Sequence, residues 1–180
     1  KTIDTDKFFV ICSNVIGGCN GSTGPSSINP DTGKRFAMGF PPVTIRDMVA
    51  AQIKLLDFLK IEKVFAAIGG SMGGMQALAL ATDFPERIHA CIPIATCMAH
   101  TAMQIAFNEV GRQAIMTDLN WNQGNYYDMA IRPEHGLAVA RMVGHVTYLS
   151  EYAMRLKFGR KTQRPAQPED LFPMFFSVES

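Results

Sequence analysis

The chain has 180 residues, 47% of them hydrophobic and 18% charged, with a formal net charge of +1. That length suits one domain with a substantial core, and that balance is the one found in ordinary soluble globular proteins. A near-neutral charge without a Lys/Arg cluster among aromatics argues against nucleic acid as a partner, and no apolar run approaches membrane-spanning length.

No stretch resembles a signal peptide. The four cysteines, Cys12, Cys19, Cys91 and Cys97, form no C-x-x-C pair and have no histidine at metal-ligand spacing. We therefore expect reduced thiols, a cytoplasmic protein and no metal. The chain opens at Lys1 and closes at Ser180 in mid-phrase, so we expect a segment cut from something longer.

In chain order, the nearly continuous apolar run FFVICS (8–13) predicts a strand buried on both faces of a parallel sheet. Residues 14–42, rich in Gly, Ser, Pro and Asn, predict a long loop. Loops of that length inside a compact domain are usually functional, the plain alternative being a surface excursion. No phosphate-cradling G-x-x-x-x-G-K-[ST] occurs in it. Thr44, with Asp47 three residues on, reads as the N-cap of a helix running to about Lys60. Ile45, Met48, Val49, Ile53, Leu56 and Leu59 fall on its core side.

A strand over 63–68 (KVFAAI), a helix over 72–84 stopped by Pro85, and a strand over 88–95 (IHACIPIA) follow. Strands alternating with helices imply parallel pairing and an α/β sheet. Beyond Thr96 the pattern predicts a long helix over 98–117, a polar and aromatic connection over 118–128, and a mostly helical 133–157 interrupted near Gly144. We read residues 1–97 as a core segment, 98–158 as a helical lid and 159–180 as a connection packing at intervals on its way back to the core.

Between the second strand and its helix lies Gly69-x-Ser71-x-Gly73, the pattern of a nucleophile elbow, which holds a serine on a strained strand-to-helix turn. The glycines are expected because such a turn brings backbone segments too close for side chains. A serine hydroxyl needs a histidine to take its proton and a carboxylate to orient that histidine. The Met72 backbone N–H, at the start of the following helix, is placed to donate to a developing oxyanion. His89, His100, His135 and His145 do not lie on loops after later strands, so each is expected to be structural and the triad incomplete. Arg141, His145 and Tyr148, spaced i, i+4, i+7, share a face if the helix runs through Gly144. An arginine fork with a tyrosine hydroxyl suits a carboxylate, although spacing alone favours a solvated arginine beside a packed tyrosine.

Several long motifs occur together: Gly17-Gly18-Cys19, GSTGPSSINP (21–30), TIRDMV (44–49), GGSMGGMQAL (69–78), FNEVGRQAI (107–115) and GLAVARMVGHVTYLS (136–150). In this combination the chain closely resembles the MetX-type homoserine O-acyltransferases of the α/β-hydrolase superfamily, from about residue 3 to 159 and more weakly to 179. The resemblance implies a partial α/β-hydrolase fold, a parallel sheet with its nucleophile elbow plus a helical lid, lacking both ends of the full fold. It implies a cytoplasmic homodimer in methionine biosynthesis that moves an acetyl group from acetyl-CoA to L-homoserine by a ping-pong route, without a cofactor. Ser71 would be the acylated nucleophile, Arg141 would hold the homoserine carboxylate, Tyr148 would lie near the substrate, and GSTGP would wall the tunnel to the site. The second oxyanion donor would precede Lys1, and the triad Asp and His would follow Ser180, so the segment by itself is expected to be inactive. A succinyl donor, or an esterase on the same fold, are the alternatives.

Overall fold

Thr44 starts the first helix, α1 (Ile45–Phe58). In the computed structural model, which describes residues 3–18 and 20–159, a reciprocal capping box forms there. Thr44 Oγ1 accepts from the Asp47 N–H at 3.2 Å, while Asp47 Oδ2 accepts from the Thr44 N–H at 2.8 Å. Two orphan amides of the first turn are thereby satisfied, and the bonds from Thr44 hold the Asp47 carboxyl below its ordinary range. The helix buries Val49, Ile53 and Leu56, three of the positions expected on the core side, whereas Leu59 is exposed.

Strand β1 (Val64–Gly70), helix α2 (Met72–Asp83) and strand β2 (Ile88–Ile94) follow, with a short 3-10 turn at Pro85–Arg87. The two strands pair in parallel from Val64 opposite Ile88 to Gly70 opposite Ile94. Among the described residues this is the whole sheet. Val49, Ile53 and Leu56 of α1 meet Leu80 of α2 and Ile88 of β2 in one cluster, with Ile11, Val64, Ala67 and Cys91 at its margin. Arg46 at the start of α1 reaches Asp83 at the end of α2 (2.8 Å). Arg87 closes the opposite corner through Asp57 (2.7 Å) and the carbonyls of Glu62 (2.7 Å) and Ile61 (3.0 Å).

Residues 8–13 form no strand and no helix. A strand is defined by its ladder, and none of the described residues pairs with this run. Ile11 touches the core and Phe8 packs on Phe65 with ring centroids 5.3 Å apart, yet Phe9 and Cys12 are exposed rather than buried. Residues 14–42 form the expected loop. It folds on itself through Gly17 N–H to Thr23 O (2.8 Å), an isolated bridge between Ile28 and Arg35, and a 3-10 turn at Ala37–Gly39.

The described residues divide into two compact units that meet in sequence between Ala99 and His100. The second holds α3 (Ala102–Met116), α4 (Glu134–Tyr148) and α5 (Glu151–Lys157). The first of these begins four residues later than expected, because Thr101 and Gln104 form a second reciprocal capping box. The expected interruption near Gly144 is absent: α4 runs through it and stops at Leu149, where Ser150 accepts from the Ala153 N–H (3.1 Å) and starts α5. An isolated helical glycine costs about 1 kcal/mol against alanine, which packing on a neighbour offsets. Here α4 lies close against α3: a Cβ at Gly136 would overlap the Ala114 carbonyl and sit 2.8 Å from Ile115 Cα. The connection expected to pack at intervals from 160 onwards lies outside the described residues, as does Cys19.

Candidate active site

Ser71 stands on the turn between β1 and α2, exposed, at φ 53° and ψ −119°. A non-glycine residue with these angles is strained, by roughly 1–3 kcal/mol, and persists only where its surroundings hold it. The hold is visible on both sides of the residue. Its N–H donates to Ile94 O (2.9 Å), at the end of the neighbouring strand. Its carbonyl accepts from the N–H groups of Gly74 (2.9 Å) and Met75 (3.2 Å), and from Thr96 Oγ1 (2.7 Å).

Two of the elbow's glycines are required by space. A Cβ on Gly69 would overlap the Gly73 carbonyl and sit 2.6 Å from the Gly74 nitrogen, and one on Gly74 would lie 2.6 Å from Thr96 Cγ2. Gly70 and Gly73 face open space, so the expectation that crowding explains every glycine of the motif is corrected for these two.

Met72 opens α2, and its backbone N–H has no carbonyl partner among the described residues. It is one of the orphan donors at a helix start, at the positive end of the helix dipole. The exposed Ser71 hydroxyl and the unpaired Met72 N–H thus stand on adjacent residues, where the sequence places its expected nucleophile and oxyanion donor. The first turn is fixed beneath them by Gln76, a buried polar side chain that donates to Met72 O (3.4 Å) and accepts from Gln52 Nε2 (2.7 Å).

No hydrogen bond to Ser71 Oγ is found among the described residues. His89, His100 and His135 are exposed. His145 stands edge-on to Phe158 (5.2 Å), and its buried Nδ1 has no hydrogen-bond partner among the described residues. Among the described residues no group of three or more His, Cys, Asp and Glu side chains is placed to hold a metal.

Arg141 and Tyr148 lie in the second unit, on α4. Because that helix is continuous through Gly144, the i, i+7 pair shares one face. Both are exposed, Tyr148 to 82%, so the packed tyrosine favoured by spacing alone is not what the chain builds. Thr96 and Gln76 are the residues that sequence reasoning missed. Thr96 reads only as the end of a strand and Gln76 only as a polar residue within an apolar helix; neither carries a local signal of its partner.

The chain matches the model of the alpha/beta hydrolase fold over residues 1–174. It is 59% identical over 180 residues to a homoserine O-acetyltransferase from Desulfotalea psychrophila, covering all of this chain and 46% of that protein. Among solved structures, esterase E22 superposes with a TM-score of 0.83 at 36% identity, over 99% of this chain and 50% of that one. A homoserine O-acetyltransferase from Bacillus anthracis superposes at 0.74 and 27% identity, over 86% of this chain and 41% of that one. The chain spans about half the length of the curated relatives it matches.

Proposed function

The chain belongs to the α/β-hydrolase fold family, and from that premise we propose that its protein transfers the acetyl group of acetyl-CoA to the side-chain hydroxyl of L-homoserine. The observation that carries this reading is identity approaching 60% along the whole chain to relatives of that name, with Ser71 held on a strained elbow.

Ser71 Oγ attacks the thioester carbonyl, and the oxyanion is met by the Met72 N–H. The carbon–sulfur bond breaks, CoA leaves as the thiol with the proton that the serine gave up, and acetyl-Ser71 remains. The homoserine hydroxyl then attacks this ester, O-acetyl-L-homoserine departs, and the proton of the attacking hydroxyl returns to Ser71. One nucleophile serving two half-reactions gives ping-pong kinetics. We place the base and its carboxylate after Ser180 and the second oxyanion donor before Lys1. Arg141 receives the homoserine carboxylate in its fork, and Tyr148 adds a hydroxyl bond to the substrate. We further propose a homodimer in the cytoplasm, serving methionine biosynthesis.

The test uses the longest reading frame carrying this chain, with acetyl-CoA and with or without L-homoserine, following CoA release and O-acetylhomoserine. Homoserine-dependent turnover is expected; steady CoA release indifferent to homoserine would sink the transferase reading. A second reading, hydrolysis of acyl esters, is favoured by the overlap with esterase E22. In that case water takes the acetyl group from Ser71 and acetate accumulates whether or not homoserine is present. Succinyl-CoA in parallel reports the choice of acyl donor.

A further inference from the structure

We propose that Thr96 is a positioning residue for the oxyanion donor, acting through the Ser71–Met72 peptide plane and not on the substrate. The proposal rests on the reading of Ser71 as the acylated nucleophile. A peptide unit is planar, so the Ser71 carbonyl and the Met72 N–H point in opposite directions and fixing one aims the other. Thr96 Oγ1 donates to that carbonyl at 2.7 Å. The other two donors, the amides of Gly74 and Met75, belong to the same helix turn and move with it. Thr96 follows the neighbouring strand, and it ties the plane to the sheet.

The rest of the local geometry serves that tie. Ala95, at φ 48°, turns the chain at the end of β2 and brings Thr96 back towards the elbow. Ile94 takes the Ser71 N–H while Thr96 takes its carbonyl, so consecutive parts of one strand end clamp both sides of the strained residue. The Thr96 methyl occupies the space kept open by the missing side chain of Gly74, which fixes the rotamer of the hydroxyl. A donor on the carbonyl also polarises the peptide and strengthens the Met72 N–H facing the oxyanion.

Substitution at Thr96 separates the two parts of its side chain. In the longest reading frame carrying this chain, Thr96→Val keeps the shape and removes the donor, Thr96→Ser keeps the donor and removes the methyl, and Thr96→Ala removes both. Acetylation of Ser71 is followed in single turnovers with acetyl-CoA and with p-nitrophenyl acetate, and thermal melts report folding. The expected result is an acetylation rate lowered about ten-fold in Thr96→Val and Thr96→Ala, with KM for the acyl donor unchanged and Thr96→Ser within about three-fold of the parent; deletion of a whole oxyanion donor costs about 100-fold or more. A donor-less variant acetylating at the parent rate would overturn the proposal. So would a Thr96→Ser variant as slow as Thr96→Ala, since the methyl would then be the part that matters. A parent that acetylates Ser71 but ignores homoserine overturns the acceptor assignment alone, and Thr96 is still judged by the acetylation step.

Discussion

The carbonyl of Gly73 fills the space that a side chain on Gly69 would need, and the Gly74 nitrogen lies 2.6 Å from the same point. Backbone faces backbone there, so neither side can yield by a rotamer change. Gly69→Ala should therefore cost roughly 3 kcal/mol or more, in the range of the severe packing defects. Gly73→Ala, with open space around its Cβ, should fold as well as the parent or gain a few tenths of a kcal/mol from helix propensity. Denaturant midpoints of the two variants measure the contrast, and equal effects would refute it.

The strain at Ser71 gives a second prediction. At φ 53° and ψ −119°, glycine would sit without the penalty that a serine Cβ incurs. Ser71→Gly should raise stability by about 1 kcal/mol while abolishing acetyl-enzyme formation. Ser71→Ala should abolish it as well, without the gain in stability. Melting curves and mass spectrometry of the acetylated protein report the two halves; a destabilised glycine variant would mean that the hydroxyl contributes more to the fold than the geometry shows.

Asp118 caps a helix to which it does not belong. Pro133, which precedes α4, offers no capping side chain; instead the Gly136 N–H donates to Asp118 Oδ2 and the Asn120 N–H to Oδ1, each at 2.8 Å. The bonds from Asn120, then from Gly136, lower the carboxyl below its ordinary value of 3.8. Unfolded, the same group binds its proton more readily, so its stabilising contribution is complete above that value and is lost as pH falls through the lower folded one. Hydrogen exchange over residues 134–138 should accelerate in Asp118→Ala at neutral pH. The difference between parent and variant should close at strongly acidic pH; a difference that persisted there would assign the effect to something other than the charge.

Arg141 makes no ion pair among the described residues, so its replacement should leave stability nearly unchanged. A charge-assisted bond of about 1.5–3 kcal/mol corresponds to a rise of roughly 10–100-fold in KM for homoserine in Arg141→Ala. The first half-reaction, acetylation of Ser71, should be unaffected. Arg141→Lys should recover only part of the loss, because a point charge does not reproduce the fork. Stopped-flow acetylation beside steady-state homoserine kinetics separates the two half-reactions, and a parallel slowing of both would remove Arg141 from its assigned place.

Much of this chain was legible residue by residue because the deciding interactions are local. Thr44 and Asp47 cap a helix three residues apart, alternating apolar runs and helices announce parallel strands, and Gly69-x-Ser71-x-Gly73 marks a turn whose strain lies in a single residue. Three expectations were corrected, for different reasons. Residues 8–13 have a strand's composition but no ladder among the described residues. Gly144 continues its helix, which meets α3 about two turns earlier at Gly136, and the local Thr101–Gln104 capping box outweighs the apolar pattern that precedes it.

The elbow can be read from the residues of the motif alone: which serine is presented, which amide follows it, and that a strand leads in and a helix leads out. What holds it there comes from other parts of the fold. Ile94, Thr96 and Gln52 lie about 20 residues or more from the groups they bind, and no periodicity links them to those groups. A strained φ is set by its own residue, but it is kept only by hydrogen bonds from elements that folding brings alongside.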